Sequence, residues 1–255
     1  MRRKKPDGVP YDYALQEALG QPGCPLCRLL ADGADRLLDA VLWEMVNDPA
    51  LRQELNQARG YCPRHTWLLV REGAALGVAI LSRGVIQTLL RVLDENRAGG
   101  EADTGWQGFR RSRGRQPGKE REALVAALEP QRPCPVCVQQ AALEETLLHA
   151  LLSGLHGAGA LAAVYAESDG LCLAHFRQAL AQAGSPSQSR PLVEAQQQVW
   201  QRLEAELAEF IRKKDHRFKD EPFGPERDAW RRALAALAGP PPRSRSGRQG
   251  LTTAN

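Results

Sequence analysis

Apolar residues along this chain recur three and four positions apart, the spacing of one helix face rather than the alternation of a strand. Leu30, Ala34, Leu37, Leu38, Val41, Leu42 and Met45 make one such stripe. It predicts a helix from Pro25 to about Val46, ended by Asn47-Asp48-Pro49. Proline suits the first position, where a missing N–H costs nothing. A short helix from Tyr11 to Leu19 precedes it, broken by Gly20-Gln21-Pro22-Gly23, and others follow at Ala50–Arg59, Cys62–Glu72 and Leu76 to about Arg97. The order then repeats. Leu143, Leu147, Leu148, Leu151, Leu152 and Leu155 form a second stripe, followed by a helix over Phe176–Gln182, a loop over Ala183–Pro191 and a long helix over Val193–Lys213. The expected fold class is all-α, as two tandem helical repeats.

The stretches without this period divide the chain. Residues 1–10 read as a basic disordered leader, 11–97 as the first repeat, 98–118 as a flexible linker with Arg110, Arg111, Arg113 and Arg115, and 119–214 as the second repeat. Residues 215–238 read as a C-terminal turn and docking helix, and 239–255 as a disordered Pro/Arg/Ser/Gly tail.

The chemistry lies in the cysteines. Cys24-Pro25-Leu26-Cys27 is followed, after 34 residues, by Gly60-Tyr61-Cys62-Pro63-Arg64-His65. Cys134-Pro135-Val136-Cys137 is followed, again after 34 residues, by Gly170-Leu171-Cys172-Leu173-Ala174-His175. These motifs hold all 6 cysteines of the chain. Residues i and i+3 share one side of a helical turn, so each motif aims two ligand atoms at one point. Cys24, Cys27, Cys62, His65, Cys134, Cys137, Cys172 and His175 therefore supply two Cys₃His sets. Such a set makes a closed tetrahedral zinc site of the structural kind, and two zinc ions are the expected cofactors. An iron–sulfur cluster is the rival. Disulfides need an oxidising compartment, a thioredoxin-like redox pair wants a βαβ context, and covalent haem attachment wants histidine where Arg28 and Val138 stand. His149 and His156 read as polar-face residues, since each set already has four ligands.

The equal loops favour a sequential pairing, in which each repeat closes its own site; the rival brings Cys24 and Cys27 to Cys172 and His175. Sequential closure is geometrically demanding. A helix to Val46 runs about 33 Å at 1.5 Å per residue, so the return to Cys62 must be partly extended, or the outgoing helix must kink at Gly33.

Charge narrows the partners little. The balance of 34 basic against 30 acidic residues gives +4, and two zinc-trithiolate centres at −1 each lower it to about +2. That does not mark a nucleic-acid binder. No run approaches 18 uninterrupted apolar residues, so no membrane span is expected, and the basic leader lacks the apolar core of a signal peptide. The cytoplasm is the expected location. One further stretch is dense, from His216 to Trp230. Either Phe218, Phe223 and Trp230 anchor a docking segment, or Arg217, Asp220, Glu221, Arg227 and Asp228 converge on a polar ligand.

The metal motifs, with the segment from Arg217 to Asp228, resemble a bacterial family classed as a domain of unknown function. Its members share Cys-Pro-x-Cys, Gly-x-Cys-x-x-His, a second such pair and a closing Asp-Glu-Pro-Phe/Trp-Gly-x-Glu-x-Asp segment, here covering roughly residues 10–238. The resemblance implies a helical, metal-binding-type protein and brings no activity with it. The function expected from the residues is a zinc-stapled helical scaffold with an unknown protein or small-molecule partner. A thiol-based redox or metal sensor is the alternative, and an enzyme using the charged C-terminal segment is the third reading.

Overall fold

The computed structural model describes residues 11–101, 117–156, 160–218 and 220–241. The leader, the Arg110–Arg115 cluster and the tail from residue 242 lie outside the described residues. Every described element is a helix, as expected: α1 (Asp12–Leu19), α2 (Pro25–Trp43), α3 (Pro49–Gln57), α4 (Pro63–Thr66), α5 (Ala75–Glu101), α6 (Pro117–Leu128), α7 (Pro135–Gly154), α8 (Ala160–Glu167), α9 (Leu173–Gln182), α10 (Pro186–Lys213) and α11 (Ala229–Ala238). Short 3₁₀ turns stand at Trp67–Leu69, His216–Phe218 and Pro225–Asp228.

Among the described residues the chain divides into two compact units that cut across the sequence order: 11–33 with 140–241, and 34–139. In the first unit, Leu15, Leu26, Leu147, Leu151, Leu171 and Leu192 are fully buried around Tyr165, with Cys24 and Cys172 in the same core. Each such leucine contributes about 1.5–3 kcal/mol. Gly33 gives α2 and α7 their close approach, since a Cβ there would lie 2.7 Å from Leu143 Cδ2. In the second unit, Leu38, Leu42, Leu69 and Val136 pack with Cys134, and Val41, Leu51, Leu55 and Leu81 form an adjoining cluster.

Several elements differ from expectation for identifiable reasons. The helix read over Cys62–Glu72 stops at Leu69, because Arg71 takes the Leu68 carbonyl with its Nε at 2.8 Å and turns to ion-pair with Asp35 and Asp39. The loop read over Ala183–Pro191 is mostly helix: α10 begins with Pro186 at its first position and tolerates Pro191 inside. Helix α8, buried through Leu161 and Tyr165, was hidden between glycines and too short to show a period. By length and composition Ala75–Asn96 suffices to cross a membrane, alone among the described residues, with 11% of its most apolar window buried. Ser82, Arg83, Gln87 and Arg91 interrupt its apolar run, so a count of consecutive apolar residues misses it.

Candidate metal centres

All four motifs are built at helix N-termini. Cys62 and Cys172 are the N-cap residues of α4 and α9, with extended backbone at ψ 162° and 160°; Cys24 and Cys134 directly precede Pro25 of α2 and Pro135 of α7. The first free N–H groups and the positive end of the helix dipole favour a thiolate there. The second ligand of each motif follows one turn later.

The eight residues meet as two sets, and the sets are not sequential. Cys24, Cys27, Cys172 and His175 converge in one unit, and Cys62, His65, Cys134 and Cys137 in the other, with the ligand atoms of each set within 4.8 Å of one another. The pairing within each repeat is therefore corrected to the exchanged one. The reason is the rigid rise of α2, whose 19 residues carry the chain about 28 Å from Cys24. Cys62 and His65 instead meet Cys134 and Cys137, at the start of α7. No kink at Gly33 is needed.

The spacing suits a tetrahedral ion. Zinc bonds of about 2.3 Å to sulfur and about 2.0–2.1 Å to nitrogen imply edges of about 3.8 Å between sulfurs and about 3.5 Å from sulfur to nitrogen. Cys27 Sγ lies 3.8 Å from Cys172 Sγ, and Cys62 Sγ 3.7 Å from Cys137 Sγ. His175 Nδ1 is 3.3 Å from Cys24 and Cys27 and 3.2 Å from Cys172. His65 Nδ1 is 3.3 Å from Cys62, 3.4 Å from Cys137 and 3.6 Å from Cys134. All six cysteines are free thiols.

The electrostatics ask for a cation. Hydrogen bonds from Cys24 and Cys27 hold the Cys172 thiol well below its ordinary pKa, while the bond to Cys172, then that to Cys24, and burial push Cys27 far up. Burial and Cys62 push Cys137 up to about 12; burial opposes ionisation of Cys62 as well, but the backbone N–H of His65 and the thiol of Cys137 outweigh it and lower its pKa. Burial would lower His175, yet bonds to Cys172 and Cys24 raise it to about 10. Crowded thiols can share one negative charge but not three, and a dication releases the remaining protons.

Other residues shape these sites, and no periodicity along the chain marks them. His175 Nε2 lies 3.1 Å from Glu144 Oε1 on α7, the carboxylate–histidine arrangement that fixes which ring nitrogen faces a metal. The loop ahead of Cys172 hangs on a buried polar network. Leu171 N–H donates to Gln196 Oε1 at 2.9 Å, Tyr165 O–H donates to the same oxygen, and Gly170 N–H donates to Ser168 Oγ at 3.0 Å. Gly170 sits at φ 64°, and a Cβ there would lie 2.9 Å from Gln196 Oε1. Asp169 Oδ2 accepts from Gly23 N–H at 2.7 Å, tying the two motifs of this centre. His149 and His156 are exposed and belong to neither set.

The charged C-terminal residues do not converge. Arg217 pairs with Asp215 at 2.6 Å, Glu221 with Arg212, and Asp228 with Arg232 at 3.0 Å, while Asp220 and Arg227 are exposed. The aromatic anchors are also weaker than expected. Trp230 is 44% and Phe223 40% exposed, and Phe218 lies half-buried under the Arg212 guanidinium. The hinge is Glu226, which is buried and accepts from Lys213 Nζ at 2.7 Å and Gly224 N–H at 2.8 Å. A Cβ on Gly224 would lie 2.9 Å from Glu226 Oε2. The segment ends on Gly239, where a Cβ would lie 3.5 Å from Cys27 Sγ.

No curated protein and no solved structure matches this chain. A family model described as a family of unknown function (DUF6062) matches residues 11–244, and the chain belongs to that family.

Proposed function

We propose that this protein is a helical scaffold stapled by two structural zinc ions, working in a reducing compartment such as the cytoplasm and presenting its surface to a protein or small-molecule partner. The observation that carries this reading is the pair of Cys₃His sets at tetrahedral spacing, each joining parts of the chain far apart in sequence. Four protein ligands leave no coordination position for substrate or water, so the metal's work is folding rather than chemistry. Structural zinc contributes about 10–16 kcal/mol of apparent binding free energy in small peptides, as much as the whole margin of an ordinary domain.

Metal analysis with an absorption spectrum, on protein purified without chelator, tests this. Two zinc ions per chain and no colour are expected; visible absorption would reassign the sites to iron–sulfur clusters. The sensor reading draws on one feature: Cys27, Cys62 and Cys137 are only partly buried. Dilute peroxide releasing zinc at once, with loss of helix reversed by thiol reductant and zinc, would favour a sensor. Resistant zinc favours the scaffold.

A further inference from the structure

The second unit contains a cleft unrelated to the metal centres. It lies between α3 and α5, with Gln131 also in its lining, and has a volume of about 520 Å³. That volume falls within the roughly 300–1,000 Å³ of small-molecule sites. Its walls are unusual: ten of the twelve lining residues are polar, three are arginines (Arg52, Arg59 and Arg91), and none is acidic.

The three arginines have no acidic neighbour in the lining. Among the described residues none of the three has a carboxylate partner. Arg91 Nη2 donates to Thr88 Oγ1 at 3.1 Å, a neutral acceptor. Arg59 donates through Nη1 to the Asn56 carbonyl at 3.0 Å and through Nη2 to the Ala127 carbonyl at 2.7 Å, while its Nε is buried with no hydrogen-bond partner. Glu54, on α3 with Arg52, sits 4.0 Å from Arg132. Gly84 on α5 faces Arg52 and Asn56, since a Cβ there would stand in ordinary contact with Arg52 Nη2 and Asn56 Oδ1, at 3.8 Å from each. Arg59 itself is held at φ 55°, a conformation that non-glycine residues adopt at a cost and that gathers at functional sites.

We propose that this cleft binds a phosphate monoester. Three guanidiniums suit a group that carries about −1.5 to −2 charge and three acceptor oxygens better than a carboxylate with one charge and two. The amides of Asn56 and Gln87 beside them would read the polar body attached to the phosphate. The site is independent of the metal reading, because none of its residues is a metal ligand.

Isothermal titration of the purified full chain with phenyl phosphate, and with benzoate as the carboxylate arm, tests the proposal at physiological salt. Saturable one-to-one binding of phenyl phosphate is expected, with benzoate at least tenfold weaker. Arg52→Ala and Arg91→Ala should each weaken it tenfold or more, and Arg52→Lys, which keeps the charge but not the fork, should recover only part. Arg190→Ala, removing an exposed arginine of the other unit, should change nothing. No saturable binding, equal binding of benzoate, or equal loss in Arg190→Ala would each overturn the assignment. Unchanged melting of the cleft variants shows that lost binding is lost contact rather than lost fold.

Discussion

Pairs of cysteine-to-serine substitutions distinguish the exchanged pairing from the sequential one by metal count alone. Cys27→Ser removes one thiolate from the centre of Cys24, Cys27, Cys172 and His175. Combined with Cys172→Ser it damages the same centre twice, so the double variant should still hold one zinc per chain. Combined with Cys62→Ser it damages both, and the chain should hold none. Sequential pairing reverses the two outcomes. Stability gives a second measure. The link from Cys27 to Cys172 closes 145 residues and that from Cys62 to Cys137 closes 75. Treated as single cross-links, these constrain the unfolded chain by about 5 and about 4.5 kcal/mol. Losing the first should lower Tm by about 10–20 °C, at about 2–4 °C per kcal/mol for a chain of this size, and adding Cys172→Ser should lower it little further. Plasma emission spectrometry gives the counts and calorimetry the melting shifts. One zinc retained in Cys27→Ser/Cys62→Ser, with none in Cys27→Ser/Cys172→Ser, would refute the exchange.

Two further outcomes follow from the surroundings of the first centre. Glu144→Ala should weaken zinc at that centre by about 10- to 100-fold, seen in chelator competition as one ion leaving before the other; simultaneous departure would show that Glu144 does not orient His175. Glu226 is held down at about 2 by Lys213 and the Gly224 N–H. A depressed carboxylate stabilises the fold above its unfolded pKa and loses that contribution as pH falls through the folded value. Tm should therefore drop between about pH 4.5 and pH 2, and Glu226→Gln should start lower at neutral pH and follow a flatter curve, with parallel curves counting against the clasp.

The candidate ligand residues were legible because all six cysteines, with two histidines, recur at one repeated offset. Their pairing was not. Equal spacing suggests local closure, and closing 145 residues rather than about 35 costs only about 1.3 kcal/mol more. That penalty is small against the stiffness of α2, and stiffness does not show in a count of intervening residues. Glu144, Tyr165 and Gln196 were invisible for a different reason: a glutamate, a tyrosine and a glutamine within helices carry no mark until the packing turns them inward. The aromatic residues of the C-terminal segment misled in the opposite sense. Phe223 and Trp230 looked like anchors by type, yet the buried group is Glu226, because a lysine and a glycine N–H meet its carboxylate.

The exchanged pairing also sets an order of events on the ribosome. Cys24, Cys27, Cys62 and His65 emerge first and already make up a complete Cys₃His set, of the right composition but the wrong pairing. The native set in the second unit exists only once Cys137 has been made, and the other only once His175 has followed. Under the zinc proposal, metal arriving early would meet this local set first, and that pairing would have to reopen before either unit is finished. On that proposal the timing of metal delivery bears on how this chain folds.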